Sequence, residues 1–367
     1  MRILVCPDKF KGSLTALEAA EAITRGLARA IPGVETVRIP IADGGEGTAE
    51  ALLAASGGDW RRLEARDPLG RQVEARYGWL PGGVAALDMS EASGLWRLLP
   101  QEHDPLRANT FGTGELIADA LRAGAKKILV GLGGSATNDG GVGMASALGY
   151  RFLDAEGKEL DPIPANFAKI ARITAPSAPI AAEVVGLSDV TNPLTGELGA
   201  SRVFGPQKGA DAAAVEALDA GLAHLADLAA RDLGRDFRDS AGAGAAGGLG
   251  FGLLVFCGAS IRSGFETLAE LFRMDEEMAR ADVVITGEGS LDAQTLGGKG
   301  PAGVAELARR HGKPVYAFAG RVASDPRLAE LYTGTFAITP PGMPLHEAFE
   351  KAATLLEDSA WGAGKVF

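Results

Sequence analysis

Residues 126–150 read KKILVGLGGSATNDGGVGMASALGY, and this stretch decides how the surrounding chain is expected to fold. Lys126–Gly131 is a short apolar run typical of a buried strand, and Val142–Tyr150 has the small residues of a packed helix. Between them lies a loop of glycines, hydroxyls, an amide and a carboxylate. A strand, a glycine-rich loop and a helix in this order predict one unit of an α/β sheet.

The loop itself predicts a phosphate site. A helix start leaves about four amides unpaired and carries about half a positive charge, while glycines let the backbone approach a ligand. The predicted phosphate-binding residues of this loop are Gly133, Gly134, Ser135, Thr137, Asn138, Gly140 and Gly141. The alternative is a tight turn in which Asn138 or Asp139 only caps the helix. Asp139 is either such a cap or a metal ligand, because a carboxylate next to a phosphate needs a cation such as Mg²⁺ between them.

Chain-wide properties exclude several classes of protein. A length of 367 residues predicts two domains. The formal charge of -11, with no basic run, argues against nucleic acid or an anionic membrane as the main partner. No apolar stretch approaches the roughly 20 residues needed to cross a bilayer, and the first residues do not resemble a signal peptide. We therefore expect a cytoplasmic protein.

Strand, loop and helix alternate at both ends of the chain. The predicted elements there are a strand at Arg2–Cys6, a helix at Leu14–Ala30, strands at Thr36–Ile41 and Asp282–Thr286, a helix at Val304–Arg310 and strands at Pro314–Ala319 and Thr335–Ile338. From Ala65 the pattern changes to alternating strands with turns. We expect an α/β fold of two domains with a cleft between them. Residues 1–65 and 262–367 would form a parallel Rossmann- or flavodoxin-like domain, and residues 66–261 an inserted mixed α/β domain.

Lysines and carboxylates gather near the predicted strand ends. They are Lys9, Lys11, Asp43, Glu46, Asp139, Asp189, Lys208, Glu288, Asp292 and Lys299, with the amide of Asn192. Phosphoryl transfer uses such a set, because lysines and a metal neutralise phosphate charge, carboxylates hold the metal, and one carboxylate can accept the hydroxyl proton. Taken singly, each residue could be an ordinary solvated charge. There is no P-loop motif, since Gly298-Lys299 is followed by glycine.

Eight motifs then resemble one known family. PDKFKGSL, IADGGEGT, TFGTGELI, GGSATNDGG, SDVTNPL, FGPQKGA, GAGAAGGLG and TGEGSLDAQTLGGK occur in this order from about Ile3 to Gly320. They resemble the type I glycerate kinases, the bacterial family that includes the glycerate 2-kinases. The chain departs from the pattern at Lys9, where serine is common, and at Leu187-Ser188, where a cysteine is frequent. The resemblance implies a two-domain fold and ATP-dependent phosphorylation of D-glycerate at the 2-hydroxyl, but it assigns no individual residue role.

With glycerate and ATP as substrates and Mg²⁺ as the metal, we expect the following roles. Asp189 would be the base or metal ligand that orients the attacking hydroxyl, with Lys9 and Lys11 as further catalytic residues. Glu288 and Lys299 would add to nucleotide binding, and Asp139 would share the metal with Asp189. The predicted substrate-binding residues are Ser13, Asp43, Glu46, Asn192, Lys208 and Asp292.

Two other hypotheses stay open at this point. A hinged pair of α/β domains could be a non-catalytic sensor or carrier of a small acid. Gly242, Gly244 and Gly247 match a dinucleotide-binding pattern, but the residues before them are polar rather than strand-like, so we expect a site-lining loop there instead of a nicotinamide site. Kinases of related hydroxy acids also fit, and the sequence allows a homodimer.

Overall fold

The computed structural model describes residues 1–42, 44–293, 295 and 300–367. The strands are β1 (Arg2–Pro7), β2 (Glu35–Arg38), β3 (Asp59–Arg66), β4 (Gln72–Leu80), β5 (Val84–Asp88), β6 (Lys127–Gly131), β7 (Arg151–Leu153), β8 (Arg172–Thr174), β9 (Glu183–Leu187), β10 (Ser260–Arg262), β11 (Val283–Leu291), β12 (Val315–Val322) and β13 (Gly334–Ala337). The α-helices are α1 (Ala16–Ala30), α2 (Thr48–Ser56), α3 (Ser90–Ser93), α4 (Phe111–Arg122), α5 (Val142–Ala147), α6 (Ala200–Phe204), α7 (Ala212–Leu233), α8 (Ala245–Cys257), α9 (Gly264–Leu271), α10 (Met274–Arg280), α11 (Gly300–Arg310), α12 (Pro326–Leu331), α13 (Leu345–Glu350) and α14 (Ala352–Ala363).

The chain forms two compact units. Unit 1 comprises Met1–Asp43, Glu50–Ser56 and Gly264–Phe367, and unit 2 comprises Gly44–Ala49 and Gly57–Ser263. None of the helices that the structure describes is long and apolar enough to span a membrane.

Unit 1 is built on a parallel sheet with the strand order β13-β12-β11-β1-β2. Successive side chains of a strand point to opposite faces of the sheet, so an apolar strand contributes side chains to the cores on both faces. Ile3 and Val5 join the core that contains residues of α1 and α14. Leu4 and Cys6 join the opposite core, with residues of α10 and α11. Helices therefore cover both faces of this sheet.

The strand order of unit 1 reverses beside β1. The chain passes from β1 to β2 on one side, whereas β11 pairs with the other side of β1 and continues to β12 and β13. Ligands of open α/β sheets bind outside the carboxyl ends of the strands at such a reversal. Strand β11 extends to Leu291, beyond the predicted end at Thr286, because its pairing with β12 continues to Val322. Glu288 therefore lies on a strand rather than in a loop.

Unit 2 contains a mixed sheet with the strand order β10-β9-β6-β5-β4-β3. β3, β4 and β5 are antiparallel neighbours, whereas β5, β6, β9 and β10 run parallel. The carboxyl ends of these four parallel strands share one edge of the sheet. The loops that follow β5, β6 and β9 therefore start side by side, and they carry most of the candidate site residues of this unit.

The predicted α/β fold, with one parallel and one mixed sheet, is confirmed. The predicted domain limits stay a prediction. β3 lies in unit 2 because it pairs along its whole length with β4, whereas the sequence pattern placed residues up to 65 with the first domain.

The segment around Gly242–Gly252 differs from its predicted loop. It forms α8, which is buried and begins with left-handed dihedral angles at Ala246, Gly247 and Gly248. A Cβ atom at Gly252 would lie 2.7 Å from the carbonyl oxygen of Gly140. The glycines thus serve close packing of a buried helix against the loop before α5, which a local pattern of glycines does not reveal.

Candidate active site

Hydrogen bonds hold three loops together at the carboxyl edge of unit 2. The amide of Leu132, after β6, donates to the carbonyls of Gly44 at 2.8 Å and Leu187 at 3.1 Å. Gly44 has φ of +80°, and a Cβ atom there would lie 2.5 Å from the Leu187 carbonyl oxygen. Only glycine fits this close approach. The segment from Gly44 to Gly47 is thereby held beside the loops after β6 and β9.

Asp88 also holds the segment from Gly44 to Gly47 in place. It is the last residue of β5 and is buried, and its carboxylate accepts hydrogen bonds from the amides of Gly47 at 2.9 Å and Ala49 at 3.1 Å. These amides lie at the start of α2, where a negative charge is favourable. The sequence analysis did not single out Asp88. The available signal was a carboxylate directly at the end of the apolar run VAALD.

Asp139 is a buried carboxylate whose hydrogen bonds favour the capping alternative, and its metal role stays a prediction. It is fully buried, and Oδ2 accepts hydrogen bonds from the amide and hydroxyl of Thr110, both at 2.8 Å, and from the amide of Gly143 at 3.0 Å. Oδ1 accepts from the amide of Gly141 at 3.1 Å. Burial raises the pKa of Asp139, and these donors oppose the rise. The carboxylate accepts hydrogen bonds from amides at the start of α5. This arrangement corresponds to the alternative in which Asp139 caps the helix.

The predicted phosphate contacts at Thr137, Asn138, Gly140 and Gly141 also stay predictions, and the packing around these residues disfavours them. All four are buried. The Gly140 amide donates to the carbonyl of Gly247 in α8 at 3.0 Å, and the side-chain amide of Asn138 donates to Ser201 Oγ at 2.9 Å. The backbone amides of Gly140 and Gly141 therefore already have acceptors inside the protein, which argues against their binding a phosphate.

The first part of the loop is open. Gly134 is exposed, and Gly133 and Ser135 are half-buried. Glu46 lies close by, because a Cβ atom at Gly134 would be 3.7 Å from Glu46 Oε2. Of the predicted phosphate-binding loop, the structure therefore leaves Gly133, Gly134 and Ser135 where a ligand can reach them.

Lys208 contacts this open segment from the protein interior. It ends a short 3-10 helix at Pro206–Lys208, is only 2% exposed, and donates from Nζ to Ser135 Oγ at 2.7 Å and to the Thr137 carbonyl at 2.6 Å. Burial lowers the pKa of Lys208 to about 7, while the charge of Asp139 opposes that shift. A buried amine with a lowered pKa next to a half-buried hydroxyl is typical of functional sites.

Asp189 and Asn192 follow β9. Both are half-buried, and β9 pairs with β6, so the two residues start from the edge that also carries Ser135. The side-chain amide of Asn192 donates to the Leu198 carbonyl at 2.7 Å and so braces the loop that follows. The structure thus brings Glu46, Ser135, Asp189, Asn192 and Lys208 to one edge of unit 2.

Five other predicted residues that the structure describes lie in unit 1, near the carboxyl ends of β1 and β11. Lys9 is half-buried and Lys11 is exposed, and the Ser13 hydroxyl donates to the Phe10 carbonyl at 3.0 Å. Two further predicted residues, Glu288 and Asp292, each accept a hydrogen bond from a hydroxyl group that was not among the predicted site residues. Glu288 accepts from Thr295 Oγ1 at 2.6 Å, and Asp292 accepts from Ser290 Oγ at 3.3 Å. The predicted substrate residue Asp43 and nucleotide residue Lys299 lie outside the described residues.

Comparison with known proteins gives a family. The model of the glycerate kinase family matches residues 3–367. The chain is 44% identical to a glycerate kinase of Bacillus subtilis over 98% of its own length and 96% of that protein. It is 43% identical to a glycerate 2-kinase of Escherichia coli over 89% of its length and 86% of that protein.

A solved structure agrees with these matches. The crystal structure of a protein assigned as glycerate kinase 2 from Salmonella typhimurium LT2 is similar with a TM-score of 0.88 and 42% identity, over 100% of this chain and 98% of that one. These relatives decide against the sensor and dehydrogenase hypotheses. The chain belongs to the glycerate kinase family and is an enzyme, a kinase that acts on an alcohol group.

Proposed function

We propose that this enzyme transfers the γ-phosphoryl group of Mg-ATP to the 2-hydroxyl of D-glycerate and releases ADP and 2-phosphoglycerate. The observation that carries the proposal is the contact between buried Lys208 and half-buried Ser135 at an edge that also presents Asp189. A hydroxyl, an amine and a carboxylate around exposed glycine backbone suit an anionic substrate whose hydroxyl is to be phosphorylated.

In this proposal the backbone of Gly133 and Gly134 and the hydroxyl of Ser135 contact phosphate or substrate oxygens. Glu46 and Asn192 are proposed to contact the glycerate hydroxyls. Asp189 orients the attacking hydroxyl, as its base or through the metal. The roles of Lys9, Lys11, Ser13, Glu288 and Asp292 stay predictions; these residues lie in or next to β1 and β11, beside the strand reversal of unit 1.

Magnesium enters as part of the nucleotide substrate. Among residues 1–42, 44–293, 295 and 300–367, no group of three or more His, Cys, Asp or Glu is placed to hold a metal. This fits Mg²⁺ in kinases, because the ion keeps several waters and is bound by one or two carboxylates together with substrate phosphates. Asp189 is the carboxylate we propose for this contact, since Asp139 is committed to backbone amides.

The proposal is tested by measuring ADP release with D-glycerate and Mg-ATP, followed by NMR of the product. We expect ADP release that requires both substrates, and a phosphorus signal that couples to the proton on carbon 2. Coupling to the carbon 3 protons would overturn the proposed regiochemistry. Absence of ADP release would overturn the substrate assignment.

Asp189→Asn should lower kcat about 10²-fold or more, because the substitution keeps the shape of the side chain but removes the charge that orients the reacting group. Folding and nucleotide binding should be retained, as measured by circular dichroism and by titration with a fluorescent nucleotide. Asp154→Asn is the matched control, because Asp154 accepts amides in a turn after β7 and has no proposed role in the reaction. Wild-type turnover of Asp189→Asn would remove Asp189 from the mechanism.

The cytoplasmic location and the homodimer stay predictions. Gel filtration with light scattering would settle the second.

A further inference from the structure

The environment of Lys208 Nζ accommodates a neutral amine. A neutral amine has two N–H donors and one lone pair, whereas an ammonium has only donors. The Thr137 carbonyl can only accept, so one N–H must point to it at 2.6 Å. Ser135 Oγ, 2.7 Å away, is a hydroxyl that either accepts from the lysine or donates to it. The two contacts are therefore satisfied in both protonation states of the lysine.

Because Lys208 is more deeply buried than Ser135, a proton can reach Lys208 from a ligand only by way of the Ser135 hydroxyl. Lys208 is 2% exposed, so a substrate does not reach Nζ directly, whereas Ser135 is half-buried and follows exposed Gly134. A proton that passes between Lys208 and a ligand on this edge must pass through the Ser135 hydroxyl.

We propose that Ser135 and Lys208 form a proton relay for the phosphoryl transfer. This inference rests on the proposed function. The hydroxyl of the acceptor gives its proton to Ser135 Oγ, and Ser135 gives its own proton to Lys208 Nζ, so in this relay Asp189 orients the hydroxyl without being its base. The acceptor oxygen forms a bond to the γ-phosphorus, the bond from that phosphorus to the bridging oxygen breaks, and ADP leaves with the electron pair. Lys208 ends as an ammonium and returns its proton to water through Ser135 before the next turnover.

The surroundings of Lys208 suit both the neutral amine that exists before the reaction and the ammonium that forms afterwards. Burial favours the neutral amine before the reaction and lowers the pKa of Lys208 to about 7. Asp139, across the loop, is the charged group that acts on Lys208, and it stabilises the ammonium formed afterwards. His103 lies beside Gly209, the residue after Lys208, because its backbone carbonyl oxygen would be 2.9 Å from a Cβ atom at Gly209. Lys208 is thus a positioning residue that acts through Ser135.

The sign of the pH dependence of kcat tests the relay. If neutral Lys208 accepts the proton, kcat should rise with pH through a limb near neutrality, because deprotonation produces the active form. If Lys208 acts instead as a cation that holds phosphate or carboxylate, kcat should fall as the pH rises through the same limb. Bound phosphates shift this limb of the profile of kcat against pH to higher pH, but they do not change whether kcat rises or falls along it.

Three variants complete the experiment. Ser135→Ala should lower kcat about 10²-fold and abolish the limb, and Ser135→Thr, which keeps the hydroxyl, should restore both. Lys208→Arg keeps a positive charge but cannot accept a proton, so it should also lose the limb and about 10²-fold in kcat. Near wild-type kcat in Lys208→Arg or Ser135→Ala, or a limb that falls with pH, would overturn the relay.

Two controls keep the outcomes distinct. Circular dichroism and thermal unfolding identify a Lys208 variant that does not fold, and in that case the Ser135 pair alone decides. If the wild-type enzyme releases no ADP with glycerate, the proposed function itself fails. If it releases ADP with a limb of the wrong sign, only the relay fails.

Discussion

Gly247→Ala should destabilise unit 2 by about 2–5 kcal/mol and lower activity with it. Gly247 has φ of +66°, where alanine costs about 1–2 kcal/mol. Its Cβ atom would also lie 1.9 Å from the carbonyl oxygen of Thr137 and 2.6 Å from the Cα of Asn138. Both are backbone atoms, so no side chain can rotate away, and overpacking adds about 1–3 kcal/mol. Because the same Thr137 carbonyl accepts from Lys208, movement of this backbone should disturb the candidate site.

Gly258→Ala is the matched control for this prediction. Gly258 ends the same helix, α8, and has nearly the same φ of +62°, but no atom lies within 4 Å of a Cβ atom there. It should show only the left-handed penalty. Urea unfolding of both variants separates the two contributions. Equal loss of unfolding free energy in the two variants would show that backbone conformation, and not contact with Thr137, constrains Gly247.

Elements with a strong local pattern could be predicted from the sequence. Strand β1 and helix α1 were predicted with bounds close to those observed, because burial on both faces and helical spacing leave direct traces in the sequence. The sequence also indicated Ser135, Asp189 and Lys208 as candidates, because each follows a strand end or lies in a loop with glycines, and their roles stay predictions.

Features that depend on distant partners could not be predicted. Asp139 looked like a metal ligand because its main partner, Thr110, lies 29 residues earlier and gives no local sign of the hydrogen bonds. The amides of Gly140 and Gly141 looked available because the glycines of α8, which cover them, resembled a loop. In both cases tertiary packing occupies hydrogen-bonding groups, an acceptor at Asp139 and donors at Gly140 and Gly141, that the local pattern suggested were available to a ligand.

Asp139→Ala should lower the free energy of unfolding by roughly 3–5 kcal/mol, because several buried donors lose their acceptor at about 1–3 kcal/mol each. The loss has two sources. The amides of Thr110, Gly141 and Gly143 lose their acceptor inside the protein, where an unsatisfied amide costs about 1–3 kcal/mol. In addition, Lys208 loses the opposite charge that acts on it, so its ammonium form becomes less stable. Urea unfolding measures the change.

Asp211→Ala provides the comparison that isolates burial. Asp211 also accepts an amide at a helix start, that of Ala214 at 2.8 Å, but it is exposed, so its loss should cost about 1 kcal/mol. If Asp139 were instead a metal ligand without a role in folding, its replacement would leave the free energy of unfolding unchanged or raise it. The reason is that the metal-free protein would lose an unpaired negative charge. A loss several times that of Asp211→Ala in metal-free buffer would therefore identify Asp139 as the carboxylate that holds the loop and its lysine in place.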